Sequence, residues 1–153
     1  MRNFFKTTFL QMAAYSLVLA TVLFSACKDD DEPSNEVKFN NITINGEQEA
    51  PNPINTTATG NINATYNKTT KIITYTITFN GLTPINMHFH KGAPGVAGGI
   101  EIPIPGPYTS PLRGTTTALT AEQETELLAG NWYVNIHSDA YKGGEIRGQM
   151  IAK

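Results

Sequence analysis

The chain carries a single cysteine, Cys27, in 153 residues. A domain folded from the residues after it has no internal disulfide and no free thiol. Positive charge is sparse as well: 11 Lys and Arg face 13 Asp and Glu, for a formal net charge of -2. No basic patch interrupts that balance, so a nucleic-acid partner has no electrostatic support. The longest apolar run, from Phe9 to Phe24, is about 16 residues, short of the roughly 20 that a bilayer-spanning helix needs. The sequence contains no Ser-His-Asp set, no paired-carboxylate motif and no phosphate loop between a strand and a helix, so no catalytic residue is assigned. Histidine is limited to three residues. What remains is a chain rich in Thr, Asn, Gly and Ile, long enough for one domain. That composition suits an extracytoplasmic β domain.

The N-terminus reads as a targeting segment over residues 1–26. Arg2 and Lys6 form a positive flank, the apolar run follows, and Leu23-Phe24-Ser25-Ala26 leads into Cys27. Positive flank, short apolar run and small residues before a cut site mark a secretory signal peptide. Small residues directly before a cysteine resemble the bacterial lipobox, in which the thiol is acylated and becomes the new N-terminus. Phe24 departs mildly from the aliphatic residue usual there, and Leu23 stands beside it. Cys27 is therefore the expected lipidation site, and the membrane the expected partner through that lipid. Without Arg2 and Lys6, nine basic residues face the thirteen acidic ones. Lys28, Asp29, Asp30, Asp31 and Glu32 follow the cysteine. Such a run is a solvated tether, and it also resembles the Lys-plus-acidic export signal of surface lipoproteins in Bacteroidetes-type bacteria. The expected location is the bacterial cell envelope, as an outer-membrane lipoprotein with surface exposure if the run acts as a signal. Residues 27–36 are read as tether and 37–153 as the folded domain.

From Val37 onward the pattern is β. Residues 37–44 alternate, and Asn45-Gly46 marks a turn. Residues 56–66 form a second strand. The run Lys71-Ile72-Ile73-Thr74-Tyr75-Thr76-Ile77-Thr78-Phe79 alternates most clearly, with Ile73, Tyr75, Ile77 and Phe79 on one face. Met87 to Lys91 is the next strand, placing Met87 and Phe89 opposite His88 and His90. A glycine loop (Gly92, Gly95, Gly98, Gly99) leads to Ile100–Ile104, which Pro103 and Pro105 assign to an edge. Residues 105–114 read as loop, with brief pairing at 115–119. Thr120 and Gln123 fit a capping box ahead of one short helix, which Gly130 stops. Asn131 to Ser138 then alternates Trp132, Val134 and Ile136 against Tyr133, Asn135 and His137. Lys142-Gly143-Gly144 turns the chain into a last strand, Glu145 to Ala152. Seven or more short strands with turns between them predict an all-β, Greek-key-like sandwich or flattened barrel with one short helix.

Two stretches carry a family resemblance: His88-Phe89-His90-Lys91-Gly92, and Trp132-Tyr133-Val134-Asn135-Ile136-His137 followed by Gly144-Glu145-Ile146-Arg147-Gly148-Gln149. Together with the glycine loop and the helix ending Leu127-Leu128-Ala129-Gly130, they resemble the CHRD domain, named from the animal protein chordin and found also in bacterial secreted proteins. The resemblance implies a β-sandwich and little biochemistry. CHRD domains are in turn similar to copper/zinc superoxide dismutases in architecture and in an HxH strand whose histidines hold copper in that enzyme family. His88 and His90 match that motif. The disulfide is absent here and only one further histidine exists, so superoxide dismutation needs ligands this chain lacks.

His88, His90 and His137 are nonetheless the candidate metal ligands. Two histidines at i and i+2 share a strand face, and three imidazoles with one open position suit Zn²⁺ or Cu²⁺. Asp139, Glu145 or a backbone carbonyl can accept the second ring N–H of such a ligand. The alternative is a structural role for the histidines, with Glu145 and Arg147 as hydrogen-bond partners or as an exposed charge pair. Two functional readings stand. The first is a lipid-anchored envelope CHRD-domain protein that binds an extracytoplasmic ligand or protein, or acts structurally, with no certain cofactor. The second is a metal-dependent redox or hydrolytic enzyme using the three histidines.

Overall fold

Strict alternation makes β3 (Ile72–Asn80) the clearest element of the sheet. Its Ile73, Tyr75 and Ile77 are buried while Thr74 and Thr78 face outward. The same rule builds β2 (Thr59–Asn67), where Ile62, Ala64 and Tyr66 are buried. In β1 (Glu36–Asn45) the rule is broken once. Phe39 and Ile42 are three residues apart, so simple alternation would put them on opposite faces. A register shift between them, with Asn41 at φ 53°, resets the phase and buries both.

The computed structural model describes residues 34–153. The expected signal segment 1–26, Cys27 and the run from Lys28 to Glu32 lie outside the described residues. The remaining strands are β4 (Pro84–Lys91), β5 (Ile100–Ile104), β6 (Leu112–Thr115), β7 (Trp132–Ser138) and β8 (Ile146–Gln149), with α1 (Ala121–Leu128) before β7. All pairings are antiparallel, in one sheet ordered β5-β4-β7-β8-β1-β2-β3-β6. This is an eight-stranded, nearly closed barrel-like sheet with one short α-helix among the described residues. Its curl is visible in the core: Tyr75 of β3 meets Phe89 of β4 edge-on at 5.4 Å, although these strands lie near opposite ends of the sheet order.

β5, with its Pro103, lies at one edge, where a missing N–H costs no ladder bond. The other edge departs from the sequence expectation. Residues 112–114, expected as loop, pair with β3 from Ile77 to Tyr75, and Thr115 completes the strand opposite Thr74. Four residues with a glycine and an arginine carry no alternation; the partner strand, not the local pattern, makes them β. The expected start at Thr56 and end at Ala152 also shorten, to Thr59 and Gln149.

The capping box of α1 forms in full: the Thr120 hydroxyl accepts from Gln123 N, and the Gln123 side chain accepts from Thr120 N. Gly130, at φ +77°, follows the helix. Leu127 is fully buried, and Lys91 reaches Glu122 and Glu126 while Lys71 reaches Glu124. The helix is thereby tied to β4 and to the turn before β3.

Candidate metal centre

The candidate site lies on the outer face of β4, β7 and β8. Inward, β7 contributes Trp132, Val134 and Ile136 to the core, all fully buried. Outward it carries Tyr133, Asn135 and His137, and these are buried too. The cover is supplied by two irregular segments. One is the glycine loop 92–99; the other is the stretch around Glu49 and Thr56, after the 3-10 turn Gly46–Gln48. A sheet face shielded from water on the outside of a barrel can hold polar groups at low dielectric without placing them in the hydrophobic core.

On that face the strand phase and the register bring the histidines together. His88 and His90 both point outward from β4, and His88 stands directly opposite Asn135 while His90 stands opposite Tyr133. His137 is the diagonal neighbour of His88. One nitrogen from each of the three rings lies within 4.8 Å of the others. His88 Nδ1 and His137 Nε2 are 3.1 Å apart, close to the roughly 3.3 Å that two nitrogens on one tetrahedral zinc would have at a Zn–N distance of about 2.0–2.1 Å.

The tautomers follow from the outer partners. His137 Nδ1 lies 3.0 Å from Lys142 O, and His90 Nδ1 lies 3.1 Å from Gly98 O. A carbonyl can only accept, so each ring donates Nδ1–H and keeps a bare lone pair on Nε2. The His137 lone pair accepts from His88 Nδ1. His90 Nε2 is buried with no hydrogen-bond partner. All three rings are held in the uncharged form. Burial, then the neighbouring rings of His137 and His90, pushes His88 down to about 4. Burial also lowers His90 and His137, against the raising effect of their carbonyl partners. His90 and His137 thus present a bare Nε2 backed by a fixed Nδ1–H, as metal-ligating imidazoles do, and His88 joins them through Nδ1 once its proton moves to Nε2.

Glu145 and Arg147 take up other work than the sequence suggested. Both are buried, so they form no exposed pair. Glu145 accepts from the Thr56 hydroxyl at 2.7 Å and the Ser138 hydroxyl at 2.5 Å. Arg147 donates to Ala93 O and Val96 O, both at 2.9 Å, and to Gln149 Oε1. The acceptors for the His90 and His137 N–H groups are backbone carbonyls, one of the three options the sequence allowed; Asp139 is exposed. Glu49, unmarked by any local signal in its proline-flanked stretch, accepts from Asn135 Nδ2 at 3.0 and 3.2 Å and is pushed up to about 7 by burial.

The CHRD domain family profile matches residues 41–150, from β1 to Met150, and so encloses the three histidines and both covering loops. The chain belongs to the CHRD-domain family. No curated protein and no solved structure matches it. In this CHRD domain the three histidines lie on the polar outer face of β4-β7-β8 rather than in the barrel interior.

Proposed function

We propose that this CHRD domain is a transition-metal-binding module of the bacterial cell envelope, held to the membrane by a lipid on Cys27. The observation that carries the reading is the buried, partnerless His90 Nε2 beside the paired His88 and His137 nitrogens. A lone pair removed from water and left without a donor is unfavourable by about 1–3 kcal/mol, and an ion with three imidazole ligands removes that deficit. The donor set contains nitrogen only, which suits Zn²⁺ or Cu²⁺ over the oxygen-seeking Mg²⁺ and Ca²⁺. Three protein ligands leave a fourth position for a water or a small anionic ligand. The lipobox-like Leu23-Phe24-Ser25-Ala26-Cys27 supports the anchor, and the acidic run behind it supports display at the cell surface.

The test is calorimetric titration of the full chain, freed of metal and held in detergent, with Zn²⁺ and with Cu²⁺. One ion per chain is expected at neutral pH, and His88→Ala and His137→Ala should each abolish it. Heat of binding that is absent in the wild type, or unchanged in both variants, overturns the metal reading and leaves a domain whose histidines only hydrogen-bond.

A further inference from the structure

His90 is held by more than its carbonyl. Its ring stacks on the Tyr133 ring, with centroids 4.9 Å apart and planes 11° from parallel. The Arg147 guanidinium carbon lies 3.5 Å from the centroid of the same tyrosine ring. Because β4 and β8 flank β7 on opposite sides, Tyr133 sits between the histidine and the arginine. Its hydroxyl reaches the backbone of Gly98 twice: it accepts from Gly98 N at 3.0 Å and lies 3.3 Å from Gly98 O, to which it donates. Gly98 O is the group that accepts from His90 Nδ1.

We infer that Tyr133 is a positioning residue of the three-histidine site, selecting the tautomer of His90 by fixing the Gly98 peptide; this inference rests on the metal reading above. The loop leaves the peptide little freedom of its own. Arg147 pins it through Ala93 O and Val96 O. A Cβ on Gly98 would land on Lys91 O, so only glycine allows this close crossing of the loop over β4. What still has to be set is the direction of the Gly98 carbonyl, and the Tyr133 hydroxyl contacts both sides of that residue. With the carbonyl aimed at Nδ1, His90 keeps its proton there and presents Nε2 to His88 and His137. With the carbonyl released, Nδ1 loses its acceptor and the proton can move to Nε2, which blocks coordination through that atom. The stacked ring performs the second half of the task, holding the imidazole plane against rotation.

The chain has only three histidines, so their imidazole nitrogens can be followed individually by NMR in full-length, ¹⁵N-histidine-labelled, metal-free protein held in detergent. Tyr133→Phe is the informative variant, since it keeps the stack and removes only the hydroxyl. In the wild type, His90 is expected as a single Nδ1–H tautomer. In Tyr133→Phe it should populate both tautomers, while His137, held by Lys142 O, stays unchanged as an internal control. Zn²⁺ affinity should fall about 10–100-fold in the same variant. Tyr133→Phe with His90 still in one Nδ1–H tautomer overturns the inference, whatever the zinc result. A shifted tautomer in a chain whose wild type takes up no zinc sustains the positioning role and overturns the metal reading alone.

Discussion

His88 and His137 are 49 residues apart in the chain, yet Nδ1 of the first lies 3.1 Å from Nε2 of the second. Their strands pair with His88 opposite Asn135, so the two histidines meet on the diagonal. Diagonal neighbours on one sheet face lie about 7–8 Å apart at the backbone, within the reach of two imidazoles leaning toward each other. A slip of β7 by one residue would turn His137 into the core and leave His88 alone on the outer face. The site therefore depends on the same pairing that builds the barrel.

That dependence makes Trp132 an anchor of both. It is fully buried, packs near Phe89 at 6.2 Å between ring centroids, and precedes Tyr133 on β7. Trp132→Ala should cost about 3–5 kcal/mol of stability, read as a lower urea midpoint for the full chain. A loss below about 1 kcal/mol would contradict the buried placement.

Gly144 bears on the site from the other end of β7. It stands at φ +128°, and a Cβ there would press on the Asn135 side-chain amide. The Lys142 carbonyl that holds His137 belongs to the same turn. Gly144→Ala should destabilise the fold by about 1–3 kcal/mol and weaken zinc binding as Asn135 and the turn shift. Unchanged stability together with unchanged affinity would show that the turn relaxes without disturbing either partner.

Protonation of Glu49 gives a signed pH effect. Burial raises its carboxyl from 4.5 to about 7 in the fold, with Asn135 and Arg147 opposing. Between those values the folded chain binds more protons than the unfolded one, so Glu49 makes stability fall as pH rises through that window. His88, lowered from 6.5 to about 4, acts the other way: between those values the unfolded chain binds more protons, and stability rises with pH. Where the windows overlap the two effects oppose. Glu49→Gln keeps an acceptor for Asn135 and removes the first effect. Denaturation of the metal-free variant across the overlap should therefore show a steeper rise of stability with pH than wild type. Parallel profiles would sink the assignment of Glu49.

Membrane attachment is tested at Cys27. Cys27→Ser should lose acylation and move from the membrane fraction to the soluble one, because acyl chains rather than a spanning helix form the expected anchor. Retention of the serine variant in membranes would remove the lipid from the proposed function. Replacing Asp29, Asp30 and Asp31 by Ala in the acylated protein then asks whether the acidic run directs export. Cleavage by protease added to intact cells should drop if it does, and equal cleavage would leave the run a tether.

Much of the barrel was legible because its cause is local. Ile73, Tyr75 and Ile77 declare their face by alternation, and Thr120 with Gln123 declares a helix start through two hydrogen bonds within one turn. β6 was not legible, since Leu112-Arg113-Gly114-Thr115 becomes a strand only by pairing with β3. The phase reset at Asn41 in β1 was hidden for a similar reason: the bulge is chosen by the need to bury Phe39 and Ile42 together.

The candidate site divides along the same line. Residue order by itself determined that His88 and His90 share one face, that His137 shares its face with Tyr133 and Asn135, and that each set opposes the apolar residues of its own strand, because strand side chains alternate with period two. Only the tertiary structure decided that β4 pairs with β7 in a register that brings the three rings within 4.8 Å. It alone decided that two loops seal this outer face, that Arg147 and Glu145 are buried supports rather than an exposed pair, and that the Gly98 and Lys142 carbonyls set two of the tautomers. The carbonyls of Gly98, Lys142, Ala93 and Val96 take part through backbone atoms that every residue possesses, and Arg147 reaches its two across more than fifty residues, so residue identity carries no trace of where such atoms will meet.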